Sequence, residues 1–239
     1  MATTGSRATT GLDRRPRDGS SGRPSQREQA AAEARTKILA AAAECIVRDG
    51  LAQVRMASIA RPAGVSSGLL HYHFDTKELL FGEVLKYSHE ASAELNQRAL
   101  ADAGEGAAER LSSFLDRCLP SDQQRADEWL LWQELALLCI RDPHLAKVGA
   151  ELYEDLYDTI TDIVRDGVAT GVFDATLDPR LIAESAVALT DGLGARVLAG
   201  DPNLGIDEAR TTIATAVAVL VGHEGPLPTP AALEGGAGR

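Results

Sequence analysis

The side chains best suited to specific recognition crowd into one run, from Met56 to Lys77, which reads MASIARPAGVSSGLLHYHFDTK. Within it Ser66, Ser67, Gly68, Leu69, His71, Tyr72 and His73 bring together hydroxyls, imidazoles, a phenol and small or apolar groups. Such groups exchange hydrogen bonds and apolar contacts with base edges in a major groove, so the chemistry on offer is reading rather than bond breaking. Arg55, just before the run, places a cation where it can reach a phosphate.

A second set is aromatic and acidic. Phe114, Trp129, Trp132, Tyr153 and Tyr157 stand with Cys118, Glu128, Gln133 and Glu134 nearby, and the two tyrosines share a helical face at i and i+4. Aromatic faces beside carboxylates suit an organic cation, held by cation-π attraction and charge pairing. The same lining suits a hydrophobic compound, and ordinary core packing is the alternative to both. Bond-making constellations are not spelled out. None of the five histidines belongs to a Glu-x-x-His pair, and there is no Gly-rich phosphate loop and no serine elbow. Cys45, Cys118 and Cys139 lack C-x-x-C spacing and read as small packing residues, with redox sensing as the alternative. The expectation is a protein that is not an enzyme, with no cofactor and no metal. A helical-bundle enzyme is the competing class.

The elements that must hold these residues are helices. Met56, Ile59, Ala60 and Ala63 recur at helical spacing and stop at Gly64, a helix-closing residue. Val65 plugs the hinge, and Ser66 can cap a second helix from Ser67 to Phe74. Two short helices joined by a Gly-centred turn make a helix-turn-helix. On the second helix a wheel places Ser67, Gly68, His71 and Tyr72 on one side and Leu70, His73 and Phe74 on the other. Spacing alone leaves open a tight helical corner with no DNA role. A preceding helix is expected over Glu28–Asp49, ending at Gly50. Asp75-Thr76-Lys77-Glu78 has the form of a capping box, with Asp75 as the cap, that starts a long connecting helix.

The stretch IARPAGVSSGLLHYHFDTKELL resembles the signature of the tetracycline-repressor (TetR) family of bacterial transcriptional regulators. The match is carried by Ile59, Ala60, Ala63, Gly64, Val65, Ser66, Gly68, Leu70, Tyr72, Phe74, Lys77 and Leu80. The resemblance covers roughly residues 36–85; beyond it only length, helical content and fragments such as DGLGARVLAGDP agree. It implies that Lys77 contacts phosphate, that the later helices wrap a central cavity, and that the last two helices form a four-helix dimer interface. It also implies repression relieved by a small molecule. Three positions depart from the pattern. Arg55 stands where a capping Thr is usual, Pro62 lies inside the first helix of the motif and should loosen its last turn, and His71 replaces a frequent Tyr.

A net charge of -11 argues against nucleic acid until its distribution is read. Residues 1–88 hold thirteen Lys or Arg against nine Asp or Glu, and the remainder eleven against twenty-six, so the basic end can face a duplex while the acidic end projects away. Residues 1–27, with Arg7, Arg14, Arg15, Arg17, Arg23 and Arg27, read as a disordered basic arm. Residues 28–76 form the DNA-binding unit, residues 77–222 the effector and dimerisation unit, and residues 223–239 a frayed tail. The expected class is all-α, three helices followed by about six. No secretory signal or membrane span is read, so the expected location is cytoplasmic. The expected function is a transcriptional regulator that binds double-stranded DNA at a palindromic operator as a homodimer through 179–199 and 206–222. It is released by an unidentified effector, cationic or hydrophobic. An architectural DNA binder with no effector is the alternative.

Overall fold

The computed structural model describes residues 25–229, which form nine helices and no strand. The arginines 7 to 23 and residues 230–239 lie outside the described residues. Helix α1 (Gln26–Asp49) starts two residues earlier than its apolar spacing suggests, because Ser25 accepts from the Glu28 amide while the Glu28 carboxylate accepts from that of Ser25. Arg27 is therefore helical rather than part of an arm.

Helix α2 (Met56–Ala60) is shorter than the expected Met56–Ala63. Pro62 has no amide to continue the ladder, and the chain closes instead through Gly64, whose φ of 67° suits a residue without Cβ. Arg55 supplies no side-chain cap; the Ser58 hydroxyl takes over half of that job by accepting from the Arg55 amide at 3.1 Å. Helix α3 (Ser67–His73) is capped by Ser66, whose hydroxyl accepts from the Leu69 amide at 3.1 Å, and Phe74 lies just past its end.

Six further helices follow: α4 (Lys77–Asp102), α5 (Ala107–Arg117), α6 (Gln123–Cys139), α7 (Pro143–Ala169), α8 (Pro179–Leu198) and α9 (Ile206–Val221). The cap of α4 is Thr76, accepting from the Leu79 amide at 3.2 Å, and not Asp75. Asp142 and Asp178 cap α7 and α8, each with a proline in the first turn where its missing amide costs nothing.

Two apolar cores hold the helices together. The first joins Ile38, Ile46, Ile59, Leu70 and Phe74 of the helix-turn-helix with Leu80, Phe81 and Leu85 of α4, and extends to Leu131 and Leu135 of α6. The helix-turn-helix is thus packed directly on the helix that carries both tryptophans. The second core gathers Leu111 and Phe114 of α5 with Ile160 and Ile163 of α7, Ile182 of α8 and Val217 of α9. Leu227 belongs to it, and the Ser112 hydroxyl donates to the Pro228 carbonyl. Residues 225–229, expected to fray, are instead held by one apolar side chain that finds the end of the bundle.

The apolar residues of α8 and α9 divide between two directions. Ile182, Ala186, Ile213 and Val217 are buried within the chain, whereas Leu181 and Val219 remain exposed, the latter at 77%. Beside them lie Ala188 and Gly192 on α8 and Thr212 and Thr215 on α9, all exposed and none of them charged. No helix among the described residues is long and apolar enough to cross a membrane.

Candidate functional site

Two places in the fold combine exposure with specific chemistry. The first is the outer face of α3. Leu70 and Phe74 are buried and anchor the helix, which leaves Ser67, Gly68, His71 and Tyr72 facing outward, Tyr72 at 77% exposure. Leu69 is partly exposed beside them. Ser66 is on the surface, with its hydroxyl engaged as the cap. His73 turns the other way: it is half-buried between Tyr72 and Phe74, and its Nε2 is enclosed without a partner among the described residues. Arg55 is exposed at the start of α2.

Lys77 is partly buried. Its Nζ donates to the Leu51 carbonyl at 3.2 Å and sits over the Phe81 ring at 5.1 Å. An ammonium has three donors, so this contact aims the group and leaves others for an anion. The same residue is held through its other backbone group, because the Leu51 amide donates to Oε2 of Glu134 at 3.2 Å. Leu51 lies in the link between α1 and α2, and Glu134 lies on α6, so one residue joins the helix-turn-helix to the second domain. The sequence sets Glu134 near the tryptophans and carries no sign of this role, because the partners are 83 positions apart.

The second place is a cavity of about 410 Å³ among α4, α5, α6, α7 and α8. Cys118, Glu128, Trp129, Trp132, Gln133 and Tyr153 line it. Phe114 and Tyr157 do not. Phe114 is almost wholly enclosed in the second core. Tyr157 stacks on Tyr153 with centroids 5.9 Å apart, but the guanidinium of Arg180 lies over its ring at 4.4 Å, so an intrachain cation already occupies that face.

The lining residues that spacing did not find come from other helices. Leu85, His89, Ser92 and Asn96 are contributed by α4, Arg117 by α5 and Asp191 by α8. His89 bonds Asp155 at 2.7 Å and meets the Trp132 ring edge-on. Glu128 is neutralised by Arg117 at 2.8 Å, a pair that is largely buried. Asp191 is different. It accepts a hydrogen bond from the Tyr153 hydroxyl at 3.0 Å, and among the described residues no cation pairs with it. Burial raises its carboxyl above the ordinary 3.8, and the Tyr153 bond offsets only part of that. Burial and the neighbouring Asp191 charge also raise the Tyr153 phenol, which stays a donor. Burial pushes the Cys118 thiol up to about 12, so at neutral pH it contributes packing rather than a thiolate.

Trp129 is fixed on both sides. Its Nε1 donates to the Cys118 carbonyl at 3.0 Å, and its ring lies against Gly194, one turn beyond Asp191, where an added Cβ would fall 2.4 Å from the ring. The missing Cβ at Gly194 is what allows the indole to approach α8 this closely, one turn from Asp191. Gly194→Ala is expected to displace the ring, with the helix itself slightly favoured. A shift in tryptophan emission measures it, and an unchanged spectrum would show that the indole does not depend on this glycine.

Comparisons with known proteins place both regions. Residues 38–84 match the family described as bacterial regulatory proteins, tetR family, and residues 107–222 match the BetI-type transcriptional repressor C-terminal family. A BetI HTH-type transcriptional regulator from Stenotrophomonas maltophilia is 25% identical over 114 residues, 48% of this chain and 58% of that protein, so the match spans less than two thirds of that relative. Among solved structures, a TetR-family regulator from Rhodococcus sp. is 28% identical, with a TM-score of 0.70 over 80% of this chain and 99% of its own. A transcriptional regulator from Saccharomonospora viridis in complex with choline is 31% identical, with a TM-score of 0.70 over 76% of this chain and 94% of its own.

Proposed function

We propose that this chain, which belongs to the TetR family of bacterial regulators, is a repressor that reads an operator as a two-fold dimer and lets go when an organic cation fills its cavity. The observation that carries the effector half is Asp191, a shielded carboxylate with no cationic partner among the described residues, walled by the fixed ring of Trp129 and oriented by Tyr153. An onium headgroup supplies the missing charge and takes cation-π contact from the indole. The choline held by the Saccharomonospora viridis protein supports a quaternary ammonium as the class. The architectural alternative, without an effector, gives this cavity no task.

Reading is assigned to Ser67, Gly68, Leu69, His71 and Tyr72 on α3, with Arg55 and Lys77 on flanking phosphates. His73 is left to packing. A helix this short reads few base pairs, so a palindrome read by two copies about one turn apart supplies the specificity. The exposed uncharged strip of Leu181, Ala188, Gly192, Thr215 and Val219 supports α8 and α9 as the self-complementary surface. Release is a population shift: a ligand that fits the cavity better when the two α3 helices are wrongly spaced lowers the fraction competent for DNA.

The path from cavity to DNA is short. Helix α4 lines the cavity with Leu85 and His89 and begins at Lys77, while α6 grips the Leu51 peptide through Glu134. Glu134→Ala is therefore expected to bind the cation normally yet lose most of its effect on operator affinity, a coupling normally worth about 1–3 kcal/mol. Anisotropy titrations with and without tetramethylammonium measure it. A variant with full ligand response would remove Glu134 from the path. Specific binding of the chain to duplex from its own upstream region, weakened by a quaternary ammonium, tests the whole proposal.

A further inference from the structure

We infer that the effector is an amphiphile, with an ammonium headgroup seated at Asp191 and an unbranched apolar tail that runs along the cavity to its mouth at Ile140. This rests on the reading that the cavity takes an organic cation and says what the remaining space is for.

The headgroup end is compact: Asp191, Tyr153 and Trp129 converge there. The cavity continues well beyond them. About 10 Å of α7 separates Tyr153 from Ala146, and about 16 Å of α6 separates Trp129 from Ile140, yet all four residues line one space. At about 410 Å³ the cavity lies within the range of about 300–1,000 Å³ that holds drug-sized ligands, and a bare trimethylammonium leaves most of it unfilled.

The walls of the outer part favour a slim apolar occupant. Ala136 on α6 and Ala150 on α7 are exposed although their helices pack against each other, so the room between them is not filled by the chain's own side chains. Gly149 and Ala146 continue this wall, and no charged residue contributes to it. At the end stands Ile140, 80% exposed, an apolar side chain that a tail would cover. A tail adds apolar burial without a further polar requirement, and it bears on α6, the helix whose Glu134 holds the Leu51 peptide.

The test is calorimetric titration of the full chain with tetramethylammonium, choline and then hexyl-, octyl- and decyl-trimethylammonium, all below micelle-forming concentrations. Affinity is expected to rise about fourfold for each methylene that enters the cavity, and to level off once the tail passes Ile140. Decanol, with the tail but no charge, is expected to bind more weakly than the decyl cation. In Ala150→Phe, with Ala136→Phe as the second variant should the first fail to fold, the ratio of decyl to tetramethyl affinity is expected to collapse. Choline binding with a flat series would overturn the tail and leave the cation reading standing. No binding by any ammonium would remove both. A rise undiminished by either phenylalanine, or a decyl-trimethylammonium affinity undiminished by Asp191→Asn, would mean detergent adsorption and overturn the inference.

Discussion

Asp191→Asn is expected to lose about a hundredfold in affinity for a quaternary ammonium. Two unit charges about 5 Å apart at an effective dielectric near 20 attract by about 3 kcal/mol, and the amide forfeits that attraction while keeping nearly the same shape. The asparagine carbonyl still accepts from Tyr153, so the loss isolates charge from geometry. The unliganded protein is expected to respond in the opposite sense. Because burial raises the Asp191 carboxyl, the folded chain keeps that proton over a range of pH in which the unfolded chain has released it. Stability therefore falls as pH rises from the ordinary carboxylate value through the raised one, and above that window the ionised group is a standing cost. Removing it should raise the thermal midpoint at neutral pH and remove that part of the pH dependence. A variant that binds the cation undiminished, or melts lower at neutral pH, would take Asp191 out of the role assigned to it.

Tyr72→Ala should be the most damaging single change for DNA. A good base contact is worth about 1–3 kcal/mol, so specific affinity should fall by about 5- to 150-fold for each half-site, and His71→Ala should fall within the same range. Both side chains face outward, so the thermal midpoint should hold. Non-specific binding at low salt should hold too, because it depends on cations. Leu70→Ala makes the contrast. That side chain is fully enclosed beneath the same helix, and its loss should cost about 2–5 kcal/mol of stability. Equal operator affinity in both surface variants would move the reading head elsewhere.

Much of this was legible before any coordinates, and the reasons differ from residue to residue. Ser66, Gly64, Leu70 and Phe74 could be placed because caps, positive-φ turns and the helical period are local, set within a few residues. The cap of α4 falls one residue later than the capping-box pattern puts it, because Asp75 and Thr76 are both capping types and only the backbone decides between them. Cys118, Glu128, Trp129, Trp132, Gln133 and Tyr153 do line the cavity, since Trp129, Trp132 and Tyr153 recur on faces that turn inward together. Tyr157 shares the face of Tyr153, but its other neighbour, Arg180, comes from the next helix and claims the ring. Asp191 and Arg117 were missed for the same reason: their meaning arises only when helices distant in sequence converge. One signal was present for Asp191. It is a carboxylate followed one turn later by a glycine. The link from Glu134 to Leu51 has no sequence signature at all, because it joins a side chain to a peptide group that every residue possesses.

Ligand-controlled reading can be measured in one titration of the purified full chain. Fluorescently labelled duplex from the chain's own upstream region is titrated at several salt concentrations, with and without saturating tetramethylammonium. The expected result is cooperative binding of two chains per palindrome, a linear fall of log affinity with log salt, and a further 5- to 150-fold weakening by the cation, the range that a coupling of about 1–3 kcal/mol produces. A chain indifferent to duplex at low ionic strength, or one whose operator affinity is the same with the cation bound, would contradict it.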